Sequence, residues 1–289
     1  PIPLRDRMEI IRLPGYLDFE KAAIAREYRW PKLQKDVGLG DVSIQLKEPA
    51  LCELIRFYTR ESGVRELERP LSSLLRKTAV DVAGGKKIKK VVITPKSVQT
   101  LLGPRKFTET NLRTEPTPGY AIGLAWTEMG GEVLPVEVVP LKGKSVLTFT
   151  GSLGDVMKES GTAAMSYIRN HAKRFGLKED FFETLELHVH VPEGAVPKDG
   201  PSAGITLAMA ILSSLTHIGV RTDFAMTGEI TLFGDVLAIG GLNEKLLAAK
   251  RMGIAKVSLP EKNRKDIVGL QPELLGGLTL HQVESLTEA

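Results

Sequence analysis

In the first third of the chain apolar positions recur three and four apart. The pattern runs over Phe19 to Tyr28, over Pro49 to Tyr58, and over Leu71 to Val82 through Leu74, Leu75 and Ala79, and it predicts the helices of a small bundle. Pro70 is expected to mark a first turn or a kink, and Gly84-Gly85 to stop that helix. A basic run, Lys86 to Lys90, then leads into the β-like Val91-Val92-Ile93. From Pro104 to Pro118 the segment is polar, carries three prolines and has no period, the signature of a linker. Beyond it the pattern alternates. Residues 121–126, 133–139, 145–149, 185–191, 224–227, 236–239 and 257–259 predict strands, and 153–175 (ended by Gly176), 203–215 and 244–252 predict helices. The implied fold class is α+β: a small helical domain over 1–103, a linker over 104–119 and a mixed α/β domain over 120–289.

Composition narrows the function. With 42% hydrophobic and 26% charged residues over 289 positions, no apolar run approaches the ~20 residues of a membrane-spanning helix. A net charge of +4 permits weak attraction to DNA or another polyanion, without the concentrated basic stripe of a dedicated nucleic-acid binder. The Lys86 to Lys90 run fits a solvated strand edge or a polyanion contact. One cysteine, Cys52, excludes an internal disulfide and any CxxC metal site, fits a reducing compartment and has the setting of a packing residue. The opening Pro1-Ile2-Pro3-Leu4-Arg5-Asp6-Arg7 lacks an initiator Met and a signal pattern, so it reads as internal to a longer protein.

Gly200-Pro201-Ser202-Ala203-Gly204 matches G-x-S-x-G, a pattern that elsewhere marks a nucleophile at a strand-to-helix turn. The preceding Pro192 to Pro201 stretch is too rich in proline and glycine to pair as a strand, so the serine stands at the mouth of a helix. There it is either an N-cap or a nucleophile with helix-start amides beside it to stabilise an oxyanion. Lys245 opens a helix otherwise lined by Leu and Ala. Solvated, it would be an ordinary ammonium; buried without a carboxylate partner, its amine would be driven neutral and could take the serine proton. Thr227, in Met226-Thr227-Gly228-Glu229, could orient that amine.

The chain resembles the ATP-dependent Lon proteases of the bacterial type with a fused ATPase. The nucleophile block is Pro192 to Ala195 with Pro197 to Gly204. The lysine block is Met226 to Ile230 with Gly240 to Lys245. The spacing from Ser202 to Lys245 is the family's, and Gly123 to Thr127 and Thr150 to Gly154 match further protease blocks. Leu4 to Glu9 and Tyr58 to Arg65 resemble the tail of the ATPase module and its helical subdomain. The resemblance implies a Ser202–Lys245 serine endopeptidase acting on unfolded polypeptides, with Thr227 and Asp199 in support and Asp199 bracing or gating the loop. It implies a hexameric ring, a cytoplasmic location, and ATP with Mg in the full-length protein but none needed by the protease domain itself. Arg7 would reach a neighbouring subunit's nucleotide and Arg65 its own subunit's. No G-x-x-x-x-G-K-[ST] loop occurs in this chain, so it is not expected to hydrolyse ATP alone. Asn243 stands where many relatives have lysine, which leaves Lys245 as the single lysine of that turn.

His188 and His190 alternate on one strand face and are expected as hydrogen-bond partners, with no metal site, since no zinc-type ligand spacing accompanies them. Two other readings stay open: a Ser-His-Asp hydrolase using His217 or His281, and a non-catalytic regulatory or DNA-binding module using the Lys86 to Lys90 run.

Overall fold

A computed structural model describes residues 8–9, 15–39, 42–84, 90–107, 111–127, 130–192 and 198–289. The chain divides into two units, 1–109 with 128–130, and 110–127 with 131–289.

In the first unit, helix α1 (Asp18–Ile24) continues through a π-helical turn, Ala25–Arg29, into α2 (Trp30–Asp36). The helix therefore runs well past Tyr28, where the periodicity ends. Pro31 has no N–H to return to the preceding turn, and the widened turn accommodates that loss. Helix α3 (Glu48–Tyr58) follows the sequence pattern. Helix α4 spans Arg65–Ala83 with Pro70 inside it, which corrects the expectation that Pro70 marks a first turn. The Glu61 carboxylate starts the helix earlier, accepting from Glu66 N and Leu67 N at 2.7 Å each, the N-terminal donors that need a partner.

Strand β1 (Ser43–Leu46) pairs in parallel with β2 (Lys90–Ile93), and α5 (Pro95–Leu102) follows. Neither β1 nor α5 is foreseen from periodicity, because both are too short to show a period. Ala50, Leu54, Leu71, Leu74, Leu75 and Val98 fill the core. Lys90 heads β2 and is exposed; Lys86 to Lys89 lie outside the described residues. The buried Glu53 carboxylate receives Arg105 through Nε and Nη2, and Gln99, all at 2.8 Å. Lys106 N and Phe107 N both donate to Phe57 O. The start of the proline-rich segment is thus fastened to this unit.

In the second unit seven strands form one mixed sheet in the order β11-β10-β7-β3-β4-β6-β5. They are β3 (Tyr120–Thr127), β4 (Gly130–Lys142), β5 (Val146–Thr150), β6 (Leu185–His190), β7 (Phe224–Met226), β10 (Lys256–Pro260) and β11 (Thr279–Val283). Strands β8 (Glu229–Ile230) and β9 (Val236–Leu237) make a separate antiparallel hairpin. The strand expected over 236–239 is therefore two residues long and outside the main sheet.

Alternation along β3 sorts its side chains to two faces. Ala121 joins the core under α6 (Asp155–Asn170) and α7 (Gly204–Thr216), while Ile122 and Leu124 join the core under α8 (Leu242–Arg251). Two-sided coverage of the central strands explains their near-continuous apolar runs. Gly123 lets α7 approach, since a Cβ there would lie 2.9 Å from Thr206 Oγ1. Two short helices, α9 (Arg264–Val268) and α10 (Pro272–Leu275), lie between β10 and β11.

Candidate active site

Ser202 lies in a single 3-10 turn, Pro201–Ala203, that runs directly into α7. Gly200 takes φ +125° to enter the turn, a conformation that favours glycine. The turn is stitched to the β7–β8 connection: Gly228 N donates to Ser202 O at 2.8 Å, and Ile205 N donates to Gly228 O at 3.1 Å. Gly204 N donates to Pro201 O. The first two amides of α7 are therefore committed.

Thr227 follows directly on β7, fully buried, with its N–H on Ser258 O at 3.0 Å. Lys245 sits in the first turn of α8, between core residues Leu242, Leu246 and Ala249, and is 2% exposed. Its Nζ donates to Thr227 Oγ1 at 3.1 Å. Burial pulls its pKa down from 10.5 to about 8, against a smaller upward pull from the Glu244 carboxylate, as expected for an amine removed from water without an ion-pair partner. Around pH 8 about half of these amines are neutral. Thr227 Oγ1 also reaches Ser202 O at 3.3 Å and Leu124 O at 3.4 Å. Lysine and serine segments meet on one hydroxyl, and among the described residues no hydrogen bond joins Ser202 Oγ directly to Lys245 Nζ.

The start of α8 is held by two close approaches that the sequence does not advertise. Gly241 takes φ +67°, and a Cβ there would lie 2.6 Å from Trp126 Cγ; a Cβ on Gly131 would fall 1.8 Å from Glu244 O.

Residues 92–289 match the Lon protease (S16) C-terminal proteolytic domain, and residues 35–91 match the Lon protease AAA+ ATPase lid domain. The chain belongs to the Lon protease family. It is 49% identical to a Lon protease of Brevibacillus choshinensis over 288 residues, 50% to one of Nitratidesulfovibrio vulgaris over 289, and 51% to Lon protease 2 of Desulfotalea psychrophila over 289. Each match takes in the whole of this chain, which spans only 35–37% of the relatives' length. The fold is that of a Lon lid followed by a Lon proteolytic domain.

In this Lon chain Asp199 is exposed, and its Oδ1 accepts from Met157 N at 3.0 Å, inside the first turn of α6, and from Gly200 N at 2.8 Å. Gly154 makes room for it, since a Cβ there would lie 2.2 Å from Asp199 Cγ. His188 and His190 share one partner, Thr150 Oγ1, at 2.8 and 2.7 Å on the β5–β6 margin of the sheet. Among the described residues neither hydrogen-bonds to Ser202, Thr227 or Lys245. No group of three His, Cys, Asp or Glu among the described residues is arranged to hold a metal.

Arg65 is the first residue of α4 in the lid, exposed and without an ion pair among the described residues. Arg7 lies outside the described residues. His217 caps the far end of the 13-residue α7, roughly 20 Å along the helix from Ser202, too far to serve as its base. His281 stacks on Phe224 at 5.5 Å between centroids. Among the described residues no helix is long and apolar enough to cross a membrane.

Proposed function

We propose that this chain is the proteolytic part, with lid, of an ATP-dependent serine endopeptidase that degrades unfolded polypeptides through a Ser202–Lys245 dyad. The observation that carries the reading is the Lys245 amine, dry, held by Thr227 Oγ1 and with its pKa lowered to about 8. A serine hydroxyl attacks a peptide carbonyl only if a base takes its proton, and a base with pKa near the working pH is suited to that transfer. Neutral Lys245 removes the proton as Ser202 Oγ bonds to the carbonyl carbon. The tetrahedral oxyanion collapses to an acyl-enzyme as the lysine proton passes to the departing amine, and water then releases the acyl group with the amine again as base. Oxyanion donors come from the Ser202 turn itself, since Gly204 N and Ile205 N are committed. Closing the dyad requires the serine hydroxyl to turn toward the amine that Thr227 presents. In this scheme Asp199 supports the loop, and the two histidines stiffen a nearby sheet margin.

The remaining parts of the reading belong to the whole protein: a hexameric ring, a cytoplasmic setting, and ATP with Mg driving substrate unfolding. The exposed Arg65 fits a role against nucleotide phosphates, with Arg7 acting on the neighbouring subunit's nucleotide, and ATP supplies the work of unfolding. Weak binding of DNA through exposed lysines is a minor property.

Peptide cleavage, compared between the unmodified protein, Ser202→Ala and Lys245→Ala, tests the dyad. Loss of cleavage in both variants, with loss of labelling at position 202 by a serine-directed acylating probe, is the expected result. Cleavage surviving Lys245→Ala would overturn it. Degradation of an unfolded protein that needs ATP, abolished by Arg65→Ala while short-peptide cleavage persists, tests the nucleotide role.

A further inference from the structure

The segment that delivers Lys245 to the site has an unusual attachment. Between the end of β9 at Leu237 and the start of α8 at Leu242, the backbone leaves its hairpin and joins no other strand. At the middle of this lead-in, both backbone polar groups of residue Ile239 are taken by one side chain. Ile239 N donates to Asn263 Oδ1 at 3.0 Å, and Asn263 Nδ2 donates to Ile239 O at 2.8 Å. Asn263 is 1% exposed and closes the 3-10 turn that follows β10. Its second amide hydrogen goes to Asp266 Oδ2 at 2.6 Å, which fixes the orientation of the carboxamide. A planar amide with one donor edge and one acceptor edge reproduces here the paired bonds that a neighbouring strand would give.

Resting on the dyad reading, we propose that Asn263 is a positioning residue for the reaction: it tethers Ile239 so that the first turn of α8 presents Lys245 to Thr227 and Ser202. Two features make the lead-in dependent on such a tether. Gly240 and Gly241 follow Ile239 immediately, Gly240 has nothing within 4 Å of a notional Cβ, and Gly241 is in the left-handed region. Glycines give a chain more backbone freedom than any other residue, so beyond the close approach of Gly241 to Trp126 the joint has little stiffness of its own. Lys245 is the fourth residue of the helix that begins there. A displacement of about 1 Å in a proton acceptor is enough to cost up to about a hundredfold in rate. The same displacement would admit water to an amine whose pKa burial lowers to about 8; Glu244 is the charged group acting on it.

Asn263→Ala removes both bonds to Ile239, and Asn263→Ser keeps a short neutral hydroxyl that can hold at most one of them. Peptide cleavage by the intact protein should show kcat falling about tenfold or more for Asn263→Ala and less for Asn263→Ser. KM should stay within about twofold, and the acid limb of the pH profile should move to higher pH. If Asn263→Ala does not fold, Asn263→Ser carries the test by the same readouts. An unchanged kcat and acid limb in a folded variant would overturn the tether. So would a loss of activity that only tracks the folded fraction and leaves the acid limb in place. Lys245→Ala is run beside them: if it keeps cleaving, the dyad itself is wrong, whereas an inactive Lys245→Ala beside an unaffected Asn263→Ala removes only the tether.

Discussion

Lys245 Nζ and Thr227 Oγ1 stand 3.1 Å apart in a site closed to solvent, and the same hydroxyl lies 3.3 Å from the carbonyl oxygen of Ser202. Thr227 is therefore the joint between the base and the nucleophile turn. A hydroxyl suits this position because it accepts from the amine while keeping a proton to donate onward.

Thr227→Val keeps the shape and removes the hydroxyl, leaving the buried amine without its partner. A loss of stability of about 1–3 kcal/mol is expected, with a fall in kcat of at least tenfold, while Thr227→Ser retains most of both. Thermal unfolding and peptide cleavage check this; equal kcat for Thr227→Val and Thr227→Ser would refute it.

The cleavage rate should rise with pH along an acid limb near pH 8, because only the neutral amine accepts a proton. Stability is coupled to the same group. The lysine pKa is lower in the folded than in the unfolded chain, so between about pH 8 and 10.5 the unfolded state binds more protons and stability increases with pH. Below pH 8 the burial cost is fully present, on the order of 3 kcal/mol. Lys245→Met should consequently be inactive yet more stable at pH 7 than the unmodified chain, by at most that amount, as read from denaturant unfolding.

The Glu244 carboxylate opposes the burial effect by favouring the ammonium form. Glu244→Gln is expected to move the acid limb of the pH profile to lower pH. A limb that moved upward would contradict the assignment of that limb to Lys245.

Gly241→Ala meets two obstacles at once: φ +67°, and Trp126 Cγ 2.6 Å from the new methyl group. Strain of this kind costs on the order of 1–3 kcal/mol. Because it falls at the entry to α8, activity should drop further than stability does. Trp126→Ala would relieve the contact but not the dihedral, so the double variant should recover only part of the loss.

Much of this protein is legible in one dimension. Long periodic segments such as α3 and α7, and the apolar runs of β3 and β6, declare themselves because each buries a face or two at a fixed spacing. The serine and lysine blocks are equally plain, since their glycines and prolines serve local backbone demands written into the residues themselves. Short elements fixed by partners distant in sequence, such as β1, α5 and β11, leave no such trace. The start of α4 is missed for a related reason: it is set by the Glu61 carboxylate rather than by Pro70.

What the sequence determined is the inventory: a serine at a helix mouth, a lysine among Leu and Ala, a threonine at a strand end. Whether that lysine is a surface ammonium or a dry amine is decided only by the packing of α8 against β3, because desolvation depends on what surrounds a group in space. The same holds for Ile205 N. Its sequence position makes it a free helix-start donor, and only the approach of Gly228 commits it.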